Sequence, residues 1–178
     1  VVVQPPLDHV LASGRVVAAS ETPLATVAVA LAVKKGAPKP DISTPEALKR
    51  VLLAAKSVSI PDAARGAAAG ASFDVTLAKL GIAEQMKATL KRVQGGAGAM
   101  AAISKGEVEM GLTFLSEIHD PGVEVVAVLP RDASTPTGLV GFVHVQAKSP
   151  AAAKALLDYL SAPAAAQVYR AEGMQPGR

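Results

Sequence analysis

Two short stretches of the chain combine residue types suited to anion chemistry. Gly66, Ala67, Ala68, Ala69 and Gly70 follow the apolar run from Ser57 to Ile60 and its stop at Pro61, and they precede a helix carrying Phe73, Val75, Leu77 and Leu80 up to Gly81. Backbone N–H groups in the first turn of a helix have no internal partners, and they form the positive end of its dipole. Residues without bulk there leave those groups open to an anion. The same small residues would also let the helix pack closely on a sheet, so this turn by itself fits both roles. Gly95, Gly96, Ala97 and Gly98 make a second such turn, between Leu90–Gln94 and a helix through Met100 and Ile103. Two helix starts that follow successive strands of one sheet can open into a single crevice at the strands' carboxyl ends, which favours the anion role.

Other chemistries find less support. Gly96 to Ala101 (GAGAMA) matches the dinucleotide pattern G-x-G-x-x-A, but no acidic residue stands at a clear strand end about 20 residues on to take a ribose hydroxyl. The chain has no G-x-x-x-x-G-K-[ST] phosphate loop and no G-x-S-x-G elbow for a nucleophile. Ser116, Glu117, His119 and Asp120 bunch beyond the strand that ends near Phe114. Their spacing fits no metal-ligand motif, so they read as a solvated turn with capping roles. His9 and His144 belong to other elements, and the absence of cysteine excludes disulfides, thiolate metal sites and cysteine nucleophiles. The residues therefore point to no catalytic group, no metal and no cofactor, and to binding rather than catalysis.

Composition narrows the partners. The 178 residues are 50% apolar and 19% charged, with mean hydropathy +0.33, which is core-forming rather than disordered. The longest nearly continuous apolar run, Leu24 to Val33, is about half of the roughly 20 residues that a membrane-spanning helix needs. Net charge is only +3 and the basic residues are dispersed, so nucleic acid is not an expected partner. Five aromatics and no Trp leave little surface for stacking bases or sugars.

The elements that must position the two turns alternate between strand and helix. Val1 to Val3 reads as a buried strand end, Leu7, Val10 and Leu11 as a helical face, and Leu24 to Val33 as one long buried strand. Ser43 or Thr44 can cap a helix that has Pro45 in its first turn and Ala47, Val51, Leu52 and Ala55 on its apolar face. Beyond the turns, Val108–Phe114, Val123–Leu129 and Leu139–Val145 read as strands. Ser149-Pro150 starts a helix with Leu156, Leu157 and Leu160 inward, and Pro163 starts another through Tyr169 to Gly173. This alternation predicts an α/β fold with a largely parallel sheet.

The order of these pieces resembles the molybdate-type substrate-binding proteins of bacterial ABC transporters. The resemblance is carried by VVVQPP at 1–6, by Val27 to Pro40 with ISTPEALKRVLLAAKSVSIPD, and by the turn GAAAG. It continues in GEVEMG at 106–111 with Leu112 to Glu117, and in SPAAAK from Ser149 with LDYLSAPAAAQVYRAEGMQP. It implies the type II periplasmic-binding-protein fold, two α/β lobes joined by crossing hinge strands with the ligand clamped between them. On this chain lobe 2 would be residues 30–136, and residues 1–25 and 140–178 would be what remains of an incomplete lobe 1. The ligand contacts carried over fall near Ala68 and Ala69, at Gly96 and at Phe114, and the reading of the two turns adds Gly66, Ala67 and Gly95 as candidate ligand-binding residues. At Phe114 the molybdate binders have a Tyr whose hydroxyl donates to the oxyanion. Losing that donor from a dry site costs on the order of 1 to 3 kcal/mol, which disfavours molybdate itself.

The function so implied is a periplasmic solute-binding protein, or a truncated form of one. It would hold a small anionic solute, an oxyanion or a small carboxylate, and deliver it to an ABC transporter permease. An incomplete lobe is expected either to pair with a second copy as a homodimer or to repack on lobe 2. Two other functions fit the same scaffold: the effector domain of a LysR-type transcriptional regulator, and an enzyme recruited onto it.

Overall fold

Thr44 shows how local chemistry starts an element here. Its side-chain oxygen accepts the Ala47 N–H at 3.1 Å, and Pro45 occupies the first helical position, where its missing N–H costs nothing. In the computed structural model, which describes residues 1–177, the chain runs through β1 (Val2–Val3), α1 (Asp8–Ala12), β2 (Thr22–Val27), β3 (Val29–Lys34), α2 (Pro45–Ala54) and β4 (Val58–Pro61). It continues through α3 (Ala68–Lys79), α4 (Ala83–Met86), β5 (Leu90–Val93), α5 (Gly95–Ser104), β6 (Met110–Phe114) and β7 (Val123–Val128). The last elements are β8 (Thr137–Gly141), α6 (Pro150–Ser161), α7 (Pro163–Ala171) and β9 (Met174–Pro176). Arg178, the end of the segment 140–178 assigned above, lies outside the described residues. Among the described residues no helix is long and apolar enough to cross a membrane.

The chain divides into two packing units, one of Val1–Val27 with the residues from Thr137 onward, the other of Ala28–Pro136. In the first unit a four-stranded sheet has the order β1-β8-β2-β9, and all its pairings are antiparallel. Two small clusters hold it. Val16, Val140 and Phe142 gather Val3, Leu7 and Val10, while Leu24, Val143 and Leu157 gather Leu160 and Tyr169.

The second unit has a five-stranded sheet of order β5-β4-β6-β3-β7. Strands β5, β4 and β6 are mutually parallel neighbours, while β3 runs antiparallel to β6 and β7. Leu31, Ile60, Phe73, Leu77, Met100, Ile103 and Leu112 are fully buried there, each worth about 1.5 to 3 kcal/mol relative to exposure. Ser59, also fully buried, donates its hydroxyl to the Ala99 carbonyl at 2.8 Å and so fixes α5 against β4. Gly111 makes room for that hydroxyl, because a Cβ at Gly111 would overlap it.

Several expectations are corrected. Leu24 to Val33 is two strands, not one: the chain leaves the first sheet after Val27 and enters the second at Val29. Burial is almost unbroken across that step, so hydrophobicity could not mark it. The sheets are not largely parallel, because one is wholly antiparallel and the other mixed. Val1 and Val2 are more than half exposed rather than buried, and Leu156 faces outward at 56% exposure while Leu157 is buried. Strand β9 had no counterpart in the sequence pattern. It forms by pairing with β2, more than a hundred residues earlier.

Candidate functional site

The three parallel strands β5, β4 and β6 finish at one edge of the second unit's sheet, at Val93, Pro61 and Phe114. Pro61 stands opposite Val93 in the ladder, and the next amide, that of Asp62, donates to the Val93 carbonyl at 2.8 Å. The turns leading into α3 and α5 therefore leave adjacent strand ends. Open α/β sheets bind ligands at this kind of edge.

The first turn is tied from within. Asp62 accepts the Ala64 N–H at 3.1 Å and caps a single 3-10 turn, Ala63–Arg65, with the Arg65 guanidinium 3.6 Å from its carboxylate. Gly66 follows with φ +82°, a left-handed conformation that a side chain would strain. The Gly66 N–H donates to the Ala63 carbonyl at 2.9 Å and the Ala67 N–H to the Asp62 carbonyl at 3.3 Å. These two amides hold the turn. The free donors start one residue later, with Ala68, Ala69 and Gly70, ahead of the first helical bond from Ala71 N–H to the Ala67 carbonyl at 3.1 Å. No side chain caps α3 and no acidic residue lies in its first turn. Ala69 and Gly70 are buried, and a Cβ on Gly70 would run into the Pro61 carbonyl oxygen, so only glycine lets α3 approach β4 this closely.

The second turn is built differently. Gln94 precedes α5 in an extended conformation without a side-chain cap, and Gly95 turns the chain with φ +65°. Gly96 is buried and has no left-handed backbone to explain it. Its requirement is space: a Cβ there would overlap the Glu117 carboxylate oxygen Oε2 and lie 2.6 Å from Thr113 Oγ1. The Thr113 hydroxyl, fully buried on β6, donates to that same Glu117 oxygen. A carboxylate from the 3-10 turn Leu115–Glu117 therefore lies against the start of α5. Spacing along the chain did not reveal this. The available signal was a glycine at a helix position where alanine would serve helix formation better.

Phe114 ends β6, opposite Val29 in the ladder, and is only 5% exposed. Its neighbours in the cluster 116–120 do local work. His119 Nε2 lies 2.8 Å from the Ser116 carbonyl, and Asp120 accepts the Gly122 N–H at 2.7 Å. Among the described residues no group of three or more His, Asp and Glu could hold a metal ion.

The flanking charges brace the two helices. Arg92 on β5 makes a two-pronged bond to Asp74 on α3, at 2.7 and 3.2 Å, and this bond holds the guanidinium pKa above its ordinary value. Lys91 reaches Glu107 beyond the end of α5 and holds that carboxyl below the usual glutamate range.

Comparison with known proteins places this arrangement. The family pattern of bacterial extracellular solute-binding proteins matches residues 3–175. An aconitate isomerase from a Pseudomonas species is 32% identical over 171 residues, 96% of this chain and 64% of that protein. The molybdate-binding protein ModA of Azotobacter vinelandii is 32% identical over 107 residues, 58% of this chain and 42% of that protein. The chain thus spans less than two thirds of the length of either relative. The solved periplasmic molybdate-binding protein of Azotobacter vinelandii superposes with a TM-score of 0.73 at 16% identity, over 96% of this chain and 74% of that one. Because the family match runs through both packing units and every strand-turn-helix segment described above, the chain belongs to the bacterial extracellular solute-binding proteins and has the type II periplasmic-binding-protein fold.

Proposed function

We propose that the turns before α3 and α5 form one half of a binding site for a small anionic solute. In this reading the two packing units correspond to the lobes at 30–136 and at 1–25 with 140–178, and the protein serves uptake through an ABC permease from the periplasm. The observation that carries it is the start of α3. Its amides at Ala68, Ala69 and Gly70 precede any helical partner, no side chain caps them, and no acid stands in the first turn to compensate their charge. Gly66 and Ala67 shape that turn, Gly95 and Gly96 open the second, and Phe114 closes the neighbouring strand end without a polar atom of its side chain. Calorimetry and thermal-shift measurements on this chain with molybdate, tungstate, sulfate, phosphate and small carboxylates test the reading. Saturable stabilisation by at least one of these anions supports it, and none at millimolar concentration overturns it.

A second reading, isomerisation of an unsaturated tricarboxylate, is favoured by one observation: the 32% identity to an aconitate isomerase extends over 96% of the chain. Proton NMR of cis-aconitate incubated with the protein separates the two. Binding without a change in the vinyl signal leaves the protein a binder, whereas growth of the trans isomer makes it an enzyme.

A further inference from the structure

We propose that Glu117 sets the solute class of this site. It keeps the α5 end of the site a hydrogen-bond acceptor, so fully ionised tetrahedral oxyanions are rejected, and carboxylates that bring a hydroxyl or protonated carboxyl group to Glu117 are taken. The proposal rests on the reading of the two turns as an anion site.

Three observations support it. The Glu117 carboxylate occupies the space where a side chain at position 96 would be, so it lies against the second residue of α5. It is held there by the Thr113 hydroxyl, whose own residue is fully buried in β6. Glu117 as a whole is an exposed residue, at the surface of the unit rather than in its core. The first helical turn of α3 has no acid, and Asp62 ahead of it is engaged by the Ala64 N–H and the Arg65 guanidinium. The two turns are therefore unequal, one offering free donors and the other donors beside a negative charge.

A dianion spanning both turns would sit within a few ångströms of the Glu117 charge and be repelled by it. A ligand O–H directed at Glu117 turns that repulsion into a charge-assisted hydrogen bond. This is the asymmetry by which a site built to pair a hydroxyl rejects an analogue lacking one.

The experiment is calorimetry of the wild-type chain and of Glu117→Gln with sodium molybdate, sodium sulfate and citrate, which has a free hydroxyl. The wild type should prefer citrate. Glu117→Gln should gain affinity for molybdate and sulfate by about tenfold or more, the scale of one removed like charge nearby, and lose affinity for citrate. Thr113→Val, which frees the carboxylate, should move the same way by a smaller factor. Equal binding of the three probes by wild type and Glu117→Gln overturns the role of Glu117 and leaves the anion site standing. No binding of any probe by either chain removes the site itself and the proposal with it. Amide NMR of the ligand-free proteins supplies a readout independent of solute. The Gly96 and Ala97 signals must shift in Glu117→Gln, and unmoved signals overturn the placement of the carboxylate.

Discussion

At the start of α3 the obstacle to a side chain is backbone, the Pro61 carbonyl against Gly70; at the start of α5 it is a side chain, the Glu117 carboxylate against Gly96. Both turns use glycine for close approach, and both leave neighbouring strand ends of one sheet. The first is rigid, and no acid stands in the helical turn that its free amides begin. The second is more adjustable, because one of the two groups against it, the Glu117 side chain, can rotate away, while the other, the buried Thr113 hydroxyl, has to shift. A pair of turns that looks equivalent in composition thus divides into a fixed donor end and an end whose chemistry depends on one carboxylate.

The sharpest way to break the comparison is to add the same methyl group to each turn. Gly70→Ala places a carbon on the Pro61 carbonyl, and neither β4 nor α3 can yield without disturbing the core around Phe73. It should cost about 3 kcal/mol or more in denaturant unfolding, the upper end of overpacking effects. Ala68→Pro tests the donor end without that strain. Ala68 is the first residue of α3 and Ala67 is extended at φ −76°, ψ 110°, so proline is accommodated and only one free N–H disappears. Unfolding should be nearly unchanged, while anion affinity falls by about 1 to 3 kcal/mol on calorimetric titration.

Gly96→Ala should be milder than Gly70→Ala. The added methyl displaces the Glu117 side chain and presses on the buried Thr113 hydroxyl, and the better helix propensity of alanine offsets part of the cost, leaving about 1 to 2 kcal/mol. A loss equal to that of Gly70→Ala would show that the Glu117 end is as rigid as the Pro61 end.

The smallest effect concerns the Lys91–Glu107 pair that clips β5 to the far end of α5. Lys91 holds the Glu107 carboxyl below its ordinary value of 4.5. Its contribution is therefore complete above that value and lost as pH falls through the lowered one. Glu107→Gln should slightly lower stability at neutral pH and converge with the wild type as the wild-type carboxyl protonates, flattening the acid limb of the stability curve, and added salt should shrink the neutral-pH difference. Thermal melts between pH 3 and 7, about the range where carboxylates titrate, measure it.

Features decided by neighbours in sequence were legible from the residues alone. The Thr44 cap with Pro45 behind it, the small-residue turns after Pro61 and Gln94, and the alternation of strand and helix all follow from side-chain bulk, capping chemistry and hydrophobic period within a few residues. The free amides were legible only to within a residue or two, because the Gly66 and Ala67 N–H groups are consumed by hydrogen bonds that depend on how the 3-10 turn winds. What only the tertiary structure decided involves residues far apart. The break at Ala28, invisible in a nearly continuous apolar run, comes from one segment pairing with β8 and β9 and the next with β6 and β7. The placement of Glu117 against Gly96 joins residues from two different turns through a strand that returns between them. Their meeting is set by sheet order and by the Thr113 hydroxyl, and no spacing along the chain encodes it.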